Sequence, residues 1–324
     1  MKILIFEYIS SGGFNKQELP ESLADEGRLM LQALLDNFTT IKDMELTVML
    51  DSRLADSINT AGINTVIIGP DHNSEEEFVR LASHCDAVWP IAPEFDGLLQ
   101  TLCRTVESMG KLLLTSPPDM VAITGNKFYT WQHLNQQSIA TVPTRLFDGV
   151  NYAPGEWIIK PVDGAGCADS YLIIDQQDFD LMSVRNGQYI IQPHITGKKT
   201  SLSCLFKQGQ GWLLCANLQH FSIIDKQYHL SEITVNYPGD LRLYRDIVEN
   251  IARALPELWG YVGIDLIETP EHILVLEINP RLTTSFTGIY EATGINVAEA
   301  VLQLLNGQPA LRATNNQSIT IRVK

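Results

Sequence analysis

Three polar residues interrupt an apolar stretch that runs from Gly260 to Phe286, GYVGIDLIETPEHILVLEINPRLTTSF: they are Asp265, Glu277 and Asn279. The stretch reads as a β-hairpin. Tyr261–Ile267 and Ile273–Ile278 are rich in β-branched and apolar residues, and the polar turn between them, Glu268–His272, contains a proline. Side chains alternate across a strand, so Glu277 and Asn279 share a face, and a turn centred near Glu271 sets Asp265 opposite Glu277 on that face. Two carboxylates held together among apolar neighbours repel each other and lose hydration. A hard divalent cation, Mg²⁺ or Mn²⁺, removes that conflict through oxygen ligands. Arg281 follows with the same alternation, and a metal site beside an arginine suits phosphoryl transfer. The competing reading is an amphipathic hairpin with one wet face.

The elements that would position these residues come from a chain of 324 residues with 45% hydrophobic content, long enough for about two or three domains with real cores. The formal net charge of -15 argues against a nucleic-acid-binding surface. No apolar run reaches bilayer-spanning length, so no membrane partner is expected. MKILIFEYIS runs straight into a turn and reads as a first strand, not a signal peptide. The five cysteines form no CxxC pair, which points to reduced, buried thiols and a cytoplasmic location. The histidines show no HExxH or other zinc spacing.

Strand-like runs at Lys2–Tyr8, Glu45–Leu50, Asn64–Ile68, Ala87–Ile91 and Lys111–Leu114 alternate with helical periodicity at Leu19–Asn37 and Glu75–His84. That alternation predicts an α/β domain with a parallel sheet over residues 1–116, with ligands at the loops leaving the strands' carboxyl ends. Ser10–Gly13 and Ala92–Glu94 are such loops. Ser10, Ser11 and Gly12 form either a ligand loop or a plain tight turn, and Glu7 and Glu94 are either substrate contacts or solvated rim residues. Thr115-Ser116-Pro117-Pro118 marks a boundary. Beyond it come helical segments at Pro118–Ile123 and Asn126–Gln137 and a strand at Trp157–Pro161. The small-residue loop Asp163–Ala168 follows, then a strand at Ser170–Ile174. A further strand, Tyr189–Ile195, ends in a polar hinge at Gln192–Ile195. Leu202–Phe206 pairs with Trp212–Ala216, Leu241–Leu255 and Ala298–Leu305 are helical, and Ser318–Val323 is a last strand. The loop at Asp163 is no Walker A motif, since its lysine precedes the glycines, but small residues let backbone N–H groups approach phosphate oxygens.

Lys127 at a helix start, Lys160 before the small-residue loop, the Gln192–Ile195 hinge and the acidic hairpin with Arg281 together compose a nucleoside triphosphate site. Their order resembles the ATP-grasp superfamily of carboxylate–amine ligases over nearly the whole chain. The resemblance implies α/β and α+β architecture: an N-terminal Rossmann-like parallel-sheet domain (1–116), a small lobe with a phosphate lid (117–188) and a C-terminal lobe with the metal site (189–324). It implies that Asp265, Glu277 and Asn279 hold Mg²⁺ or Mn²⁺, and that Lys127 and Lys160 bind ATP. The lid matches Gly164, Ala165 and Gly166 with the two residues after them, and Gln192, Pro193, His194 and Ile195 match the adenine strand. The family's ribose glutamate is replaced by Lys199, which would meet a phosphate or an anionic substrate. Arg281 and Lys160 are the expected catalytic groups. Thr284 and Ser285 would read substrate carboxylates, or belong to a hydroxyl-rich loop capping the next helix. IFEYISSGGF, IAPEFDGLL and NPRLTTSF are similar to the branch that contains tyramine–glutamate ligase of methanofuran biosynthesis. That branch implies ATP-driven joining of a glutamate γ-carboxylate to tyramine or a related amine. Other amino-acid or peptide ligase activity and a non-catalytic nucleotide-binding role stay open, as does a homodimer.

Overall fold

The computed structural model describes residues 1–164, 169–183 and 188–323. Ala165 and Gly166 of the expected lid, with Cys167 and Ala168, lie outside the described residues. The chain begins with alternating elements: β1 (Lys2–Glu7), α1 (Glu21–Phe38), β2 (Glu45–Asp51), β3 (Asn64–Ile68), α2 (Ser74–Ser83), β4 (Ala87–Ile91), α3 (Leu98–Ser108) and β5 (Leu112–Leu113). The strands form one parallel sheet in the order β3-β2-β1-β4-β5. Helices cover both faces of such a sheet, which is why Ile3–Phe6 of β1 is an unbroken buried apolar run. Helix α3 had not been recognised in the sequence.

Helices α4 (Pro118–Thr124) and α5 (Lys127–Gln136) lead into a second, largely antiparallel sheet. Its smaller part comprises β6 (Arg145–Leu146), β7 (Trp157–Pro161), β8 (Tyr171–Ile173), helix α6 (Gln176–Ser183) and β9 (Tyr189–Pro193). Ile159, Ile173, Phe179, Met182 and Ile191 form a separate core there. The larger part holds β10 (Lys198–Lys207), β11 (Gln210–Ile224), β12 (Gln227–Val235), α7 (Leu241–Ala254), β13 (Gly260–Glu268) and β14 (Ile273–Asn279). It closes with α8 (Ile289–Thr293), α9 (Val297–Asn306) and β15 (Ile319–Arg322). The strand order is β14-β13-β10-β11-β12-β8-β7-β9-β6, with β15 on β12. Strand β11 continues well beyond the expected arm Trp212–Ala216, and β12 and α6 are additions that the sequence reading does not contain.

The principal core crosses from one sheet to the other. Met30, Leu31, Leu34, Leu35 and Phe38 of α1 belong to the same buried cluster as Phe286, Val297, Val301 and Leu304. Asn37 reinforces the contact: its side-chain oxygen accepts from Val297 N at 3.0 Å, and its backbone oxygen accepts from Asn296 Nδ2 at 2.7 Å. The first of these bonds serves a backbone donor at the start of α9 that a helix cannot satisfy internally. Among the described residues, no helix is long and apolar enough to cross a membrane. Cys85, Cys103, Cys204 and Cys215 are buried and unpaired in disulfides.

Candidate active site

The expected pairing across the hairpin is present, but a bulge and not the turn alone produces it. Asp265 pairs with Glu277 and Gly263 with Asn279, and a bulge between Asp265 and Leu266 shifts the pairing beyond them. On the other side of β13, Asp265 faces Ser201 of β10. Asp265 Oδ2 accepts from Asn279 Nδ2 and Oδ1 from Gln219 Nε2, each at 3.0 Å. Burial, and then the charge of Glu277, push the Asp265 carboxyl above its usual range. Burial also works against the charge on Glu277. Its neighbours outweigh that effect: Lys127 Nζ lies 3.4 Å and Lys160 Nζ 3.7 Å from Glu277 Oε2, and they hold this carboxyl well below its ordinary value.

Among the described residues Glu277 Oε2 accepts no well-formed hydrogen bond and is held by the two lysine charges alone. A buried carboxylate oxygen with coordination capacity to spare, beside a second carboxylate, suits a hard divalent cation. No group of three His, Cys, Asp or Glu side chains able to hold a metal occurs among the described residues. The donors are instead two carboxylates and a carboxamide that uses its nitrogen on Asp265 and has its oxygen to offer. That set fits Mg²⁺ or Mn²⁺ better than softer ions.

The cations are positioned by local structure. Asn126 caps α5, its side chain accepting from Phe128 N at 3.0 Å and Tyr129 N at 3.1 Å, which sets Lys127 at the first helical residue. Lys127 Nζ donates to Gly164 O at 2.6 Å, at the edge of the small-residue loop. Alternation along β7 sends Ile158 and Lys160 to the cavity and Ile159 into the small core. At the hinge, Gln192 Nε2 donates to Thr144 Oγ1 at 2.8 Å, and the two ring nitrogens of His194 bond Glu156 Oε2 and Tyr228 OH, both at 2.6 Å. Lys199 Nζ donates to Ile195 O at 3.0 Å, and burial, then the nearby Lys160, push its pKa down to about 8.

One cavity gathers most of the residues singled out in the sequence. Lys127, Lys160, Gly164 and Lys199 line it with the Gln192–Ile195 hinge; so do Asp265, Glu277 and Asn279, and so do Arg281, Thr284 and Ser285. Thr283 precedes the 3₁₀ turn Thr284–Gly288 without a side-chain capping bond, and its hydroxyl bonds Tyr261 OH at 3.1 Å and Ser285 Oγ at 3.0 Å. Gly263 makes room for it, since a Cβ there would lie 2.6 Å from Thr283 Cγ2.

Glu7, Ser10, Ser11, Gly12 and Glu94 do not line this cavity. The loop after β1 folds back on itself, with Ser11 N bonded to Glu7 O and Gly13 N to Tyr8 O. The Glu7 carboxylate turns inward to accept from Ser10 N at 2.7 Å, under α1, where a Cβ on Gly27 would meet it at 2.4 Å. Burial pushes Glu7 up to about 7. Glu94 takes Arg281: Nε donates to Oε1 at 2.9 Å and Nη2 to Oε2 at 2.8 Å, a bidentate pair between the two sheets.

Glu26, Ser201, Gln219, Phe221 and Tyr228 line the cavity without having been singled out. The alternation of Asn217 and Gln219 on β11 was a usable signal for Gln219. Glu26 gave none, because Asp25, Glu26 and Arg28 look like the solvated face of an amphipathic helix.

Residues 124–285, half of the chain, match the ATP-grasp domain model, and residues 44–121 match the pre ATP-grasp 3 domain. The tyramine–L-glutamate ligase of Methanocaldococcus jannaschii is 24% identical over 322 residues, covering 98% of this chain and 94% of that protein. The structure of an ATP-grasp superfamily protein from Archaeoglobus fulgidus aligns with a TM-score of 0.74 at 23% identity, over 99% of this chain and 92% of that one. An L-amino acid ligase from Bacillus licheniformis aligns with a TM-score of 0.64 at 16% identity, over 93% and 73%.

Proposed function

Because the chain belongs to the ATP-grasp family, we propose that its cavity joins a carboxylate to an amine at the expense of ATP, most closely a glutamate γ-carboxylate with tyramine or a related amine in making a methanofuran-type carrier. The chain is an ATP-dependent C–N-bond-forming ligase. The observation that carries this reading is Glu277, set between Lys127 and Lys160 on one side and Asp265 on the other, in a cavity that Arg281 also lines. The near full-length likeness to a tyramine–L-glutamate ligase supports the substrate choice.

Asp265, Glu277 and Asn279 would hold the divalent cation, which neutralises nucleotide phosphate charge when bound. Lys127 and Lys160 offer ammonium groups to anionic oxygens of the same nucleotide. The substrate carboxylate attacks the γ-phosphate, giving an acyl phosphate and ADP. The amine then attacks the acyl carbon, and inorganic phosphate leaves as the amide forms. Arg281 is held in one orientation by Glu94, so its guanidinium faces developing negative charge without first having to reorganise.

The test is ADP release with ATP, Mg²⁺ and L-glutamate across a panel of amines that includes tyramine. Release that requires glutamate and rises with tyramine, with the amide detected by mass, is the expected result. Release with other acid–amine pairs alone keeps the ligase and discards these substrates. Tight ATP binding without turnover for any pair discards the ligase.

A further inference from the structure

Beyond Arg281 the cavity reaches α1, where Glu26 lines it. Thr284 Oγ1 donates to Glu26 Oε2, which ties this carboxylate of the parallel-sheet domain to the loop that follows Arg281. Its helical neighbours Asp25 and Arg28 pair with each other at 3.8 Å. Arg281 feels the charge of Glu26, yet directs two of its N–H groups at Glu94. Several carboxylates therefore stand around one guanidinium, and Glu26 faces the cavity with a hydroxyl, not a cation, as its hydrogen-bond partner among the described residues. A cavity end with that balance attracts a cation small enough to enter beside hydroxyls, and Thr283, Thr284 and Ser285 supply those.

We propose that Glu26 binds the α-ammonium group of an amino-acid acyl donor, so that this end of the cavity selects α-amino acids over simple carboxylic acids. The proposal rests on the ligase reading above. The attacking amine is the poorer candidate for Glu26. A nucleophilic amine must lose its proton before it attacks, whereas a fixed carboxylate alongside favours the protonated form. The α-ammonium of an amino acid takes no part in the reaction and stays charged throughout. Moving it out of water requires a counter-charge.

The experiment compares wild type with Glu26→Gln, which keeps an oxygen to accept from Thr284 while removing the charge. L-Glutamate is compared with glutarate, which has the same two carboxylates and no ammonium. Kinetics are read as ADP release with tyramine, and binding as calorimetry with a non-hydrolysable ATP analogue. Wild type is expected to favour L-glutamate by about ten- to hundred-fold in KM and Kd, the range for losing one member of a partly exposed charge pair. Glu26→Gln is expected to lose that preference to within about three-fold, with the KM for ATP unchanged. A preference retained in Glu26→Gln overturns the assignment, and so does wild-type binding of glutarate as tight as that of L-glutamate. A parallel rise in KM for ATP, L-glutamate and glutarate in Glu26→Gln also overturns it, since that is what a purely structural strap would give. Calorimetric preference for L-glutamate without any ADP release leaves the Glu26 assignment standing and sinks the ligase reading.

Discussion

Replacing Glu94 by alanine tests how Arg281 is held. Glu94 is 7% exposed, and its two oxygens lie 2.9 and 2.8 Å from the guanidinium. Removing one partner of a buried ion pair leaves a charge stripped of water, at about 3–5 kcal/mol. Replacing both partners with apolar residues of similar size is often neutral, so Glu94→Leu with Arg281→Met should be within about 1 kcal/mol of wild type in urea unfolding. The double variant should be inactive all the same, because the guanidinium is gone. Glu94→Gln keeps an acceptor but no charge and should fall between Glu94→Ala and wild type in stability. Its turnover should drop by about ten- to hundred-fold, since a misplaced charge of about 1 Å costs about that much. Glu94→Ala adds a further effect: Arg281 is free to turn towards Glu26, and the KM for L-glutamate should rise while the KM for ATP holds. The reasoning fails if Glu94→Ala unfolds at the wild-type urea concentration, or if the double variant is as unstable as the two single variants summed.

Glu7 gives a pH signature. Its folded pKa of about 7 lies above the ordinary 4.5, so the folded state binds the proton more tightly, and this contribution to stability, complete below about pH 4.5, is lost as pH rises through about 7. Glu7→Gln should flatten that slope and be more stable than wild type at pH 8 by up to about 3 kcal/mol; an unchanged slope in urea titrations at pH 5, 6, 7 and 8 refutes it. Lys199 loses its proton near pH 8, far below the ordinary 10.5, so the wild-type KM for ATP should rise through that pH. Lys199→Met should show a higher KM with no such inflection, and an inflection retained in the variant removes Lys199 from nucleotide binding. Glu277→Gln and treatment with EDTA should each abolish ATP turnover without altering the far-ultraviolet circular dichroism; substantial remaining turnover sinks the metal assignment.

The hairpin was the most legible part of the sequence, because period-two alternation puts Glu277 and Asn279 on one face and the polar turn near Glu271 brings Asp265 close to them. The bulge after Asp265 left no trace in composition, yet it lies between the turn and the pair that matters: without it the register at the turn would set Asp265 opposite Leu276. The parallel sheet was legible from strands alternating with helices. Strand β12 was not: Gln227–Val235 mixes polar and apolar residues, because one side faces the cavity and the strand also pairs with β15 near its end. Helix α3 was overlooked although Leu99, Cys103 and Val106 recur at helical spacing. The Glu94–Arg281 pair joins residues 187 positions apart, and no local pattern encodes a contact that tertiary folding alone creates. Glu26 was hidden for a related reason. Its neighbours on α1 are polar, and the cavity that makes its position meaningful is completed by a loop from the far end of the chain.

The packing of α1 against α9 has a consequence for biosynthesis. Val297 N finds its acceptor in Asn37, 260 residues earlier. At roughly 5–20 residues per second, the ribosome takes about 13–50 s to span that interval. For that time Met30, Leu31, Leu34 and Leu35 lack the partners that Val297, Val301 and Leu304 provide. A nascent chain that has completed its first sheet therefore packs α1 on that sheet alone, and a stop codon ahead of α9 would make the loss of the remaining partners permanent.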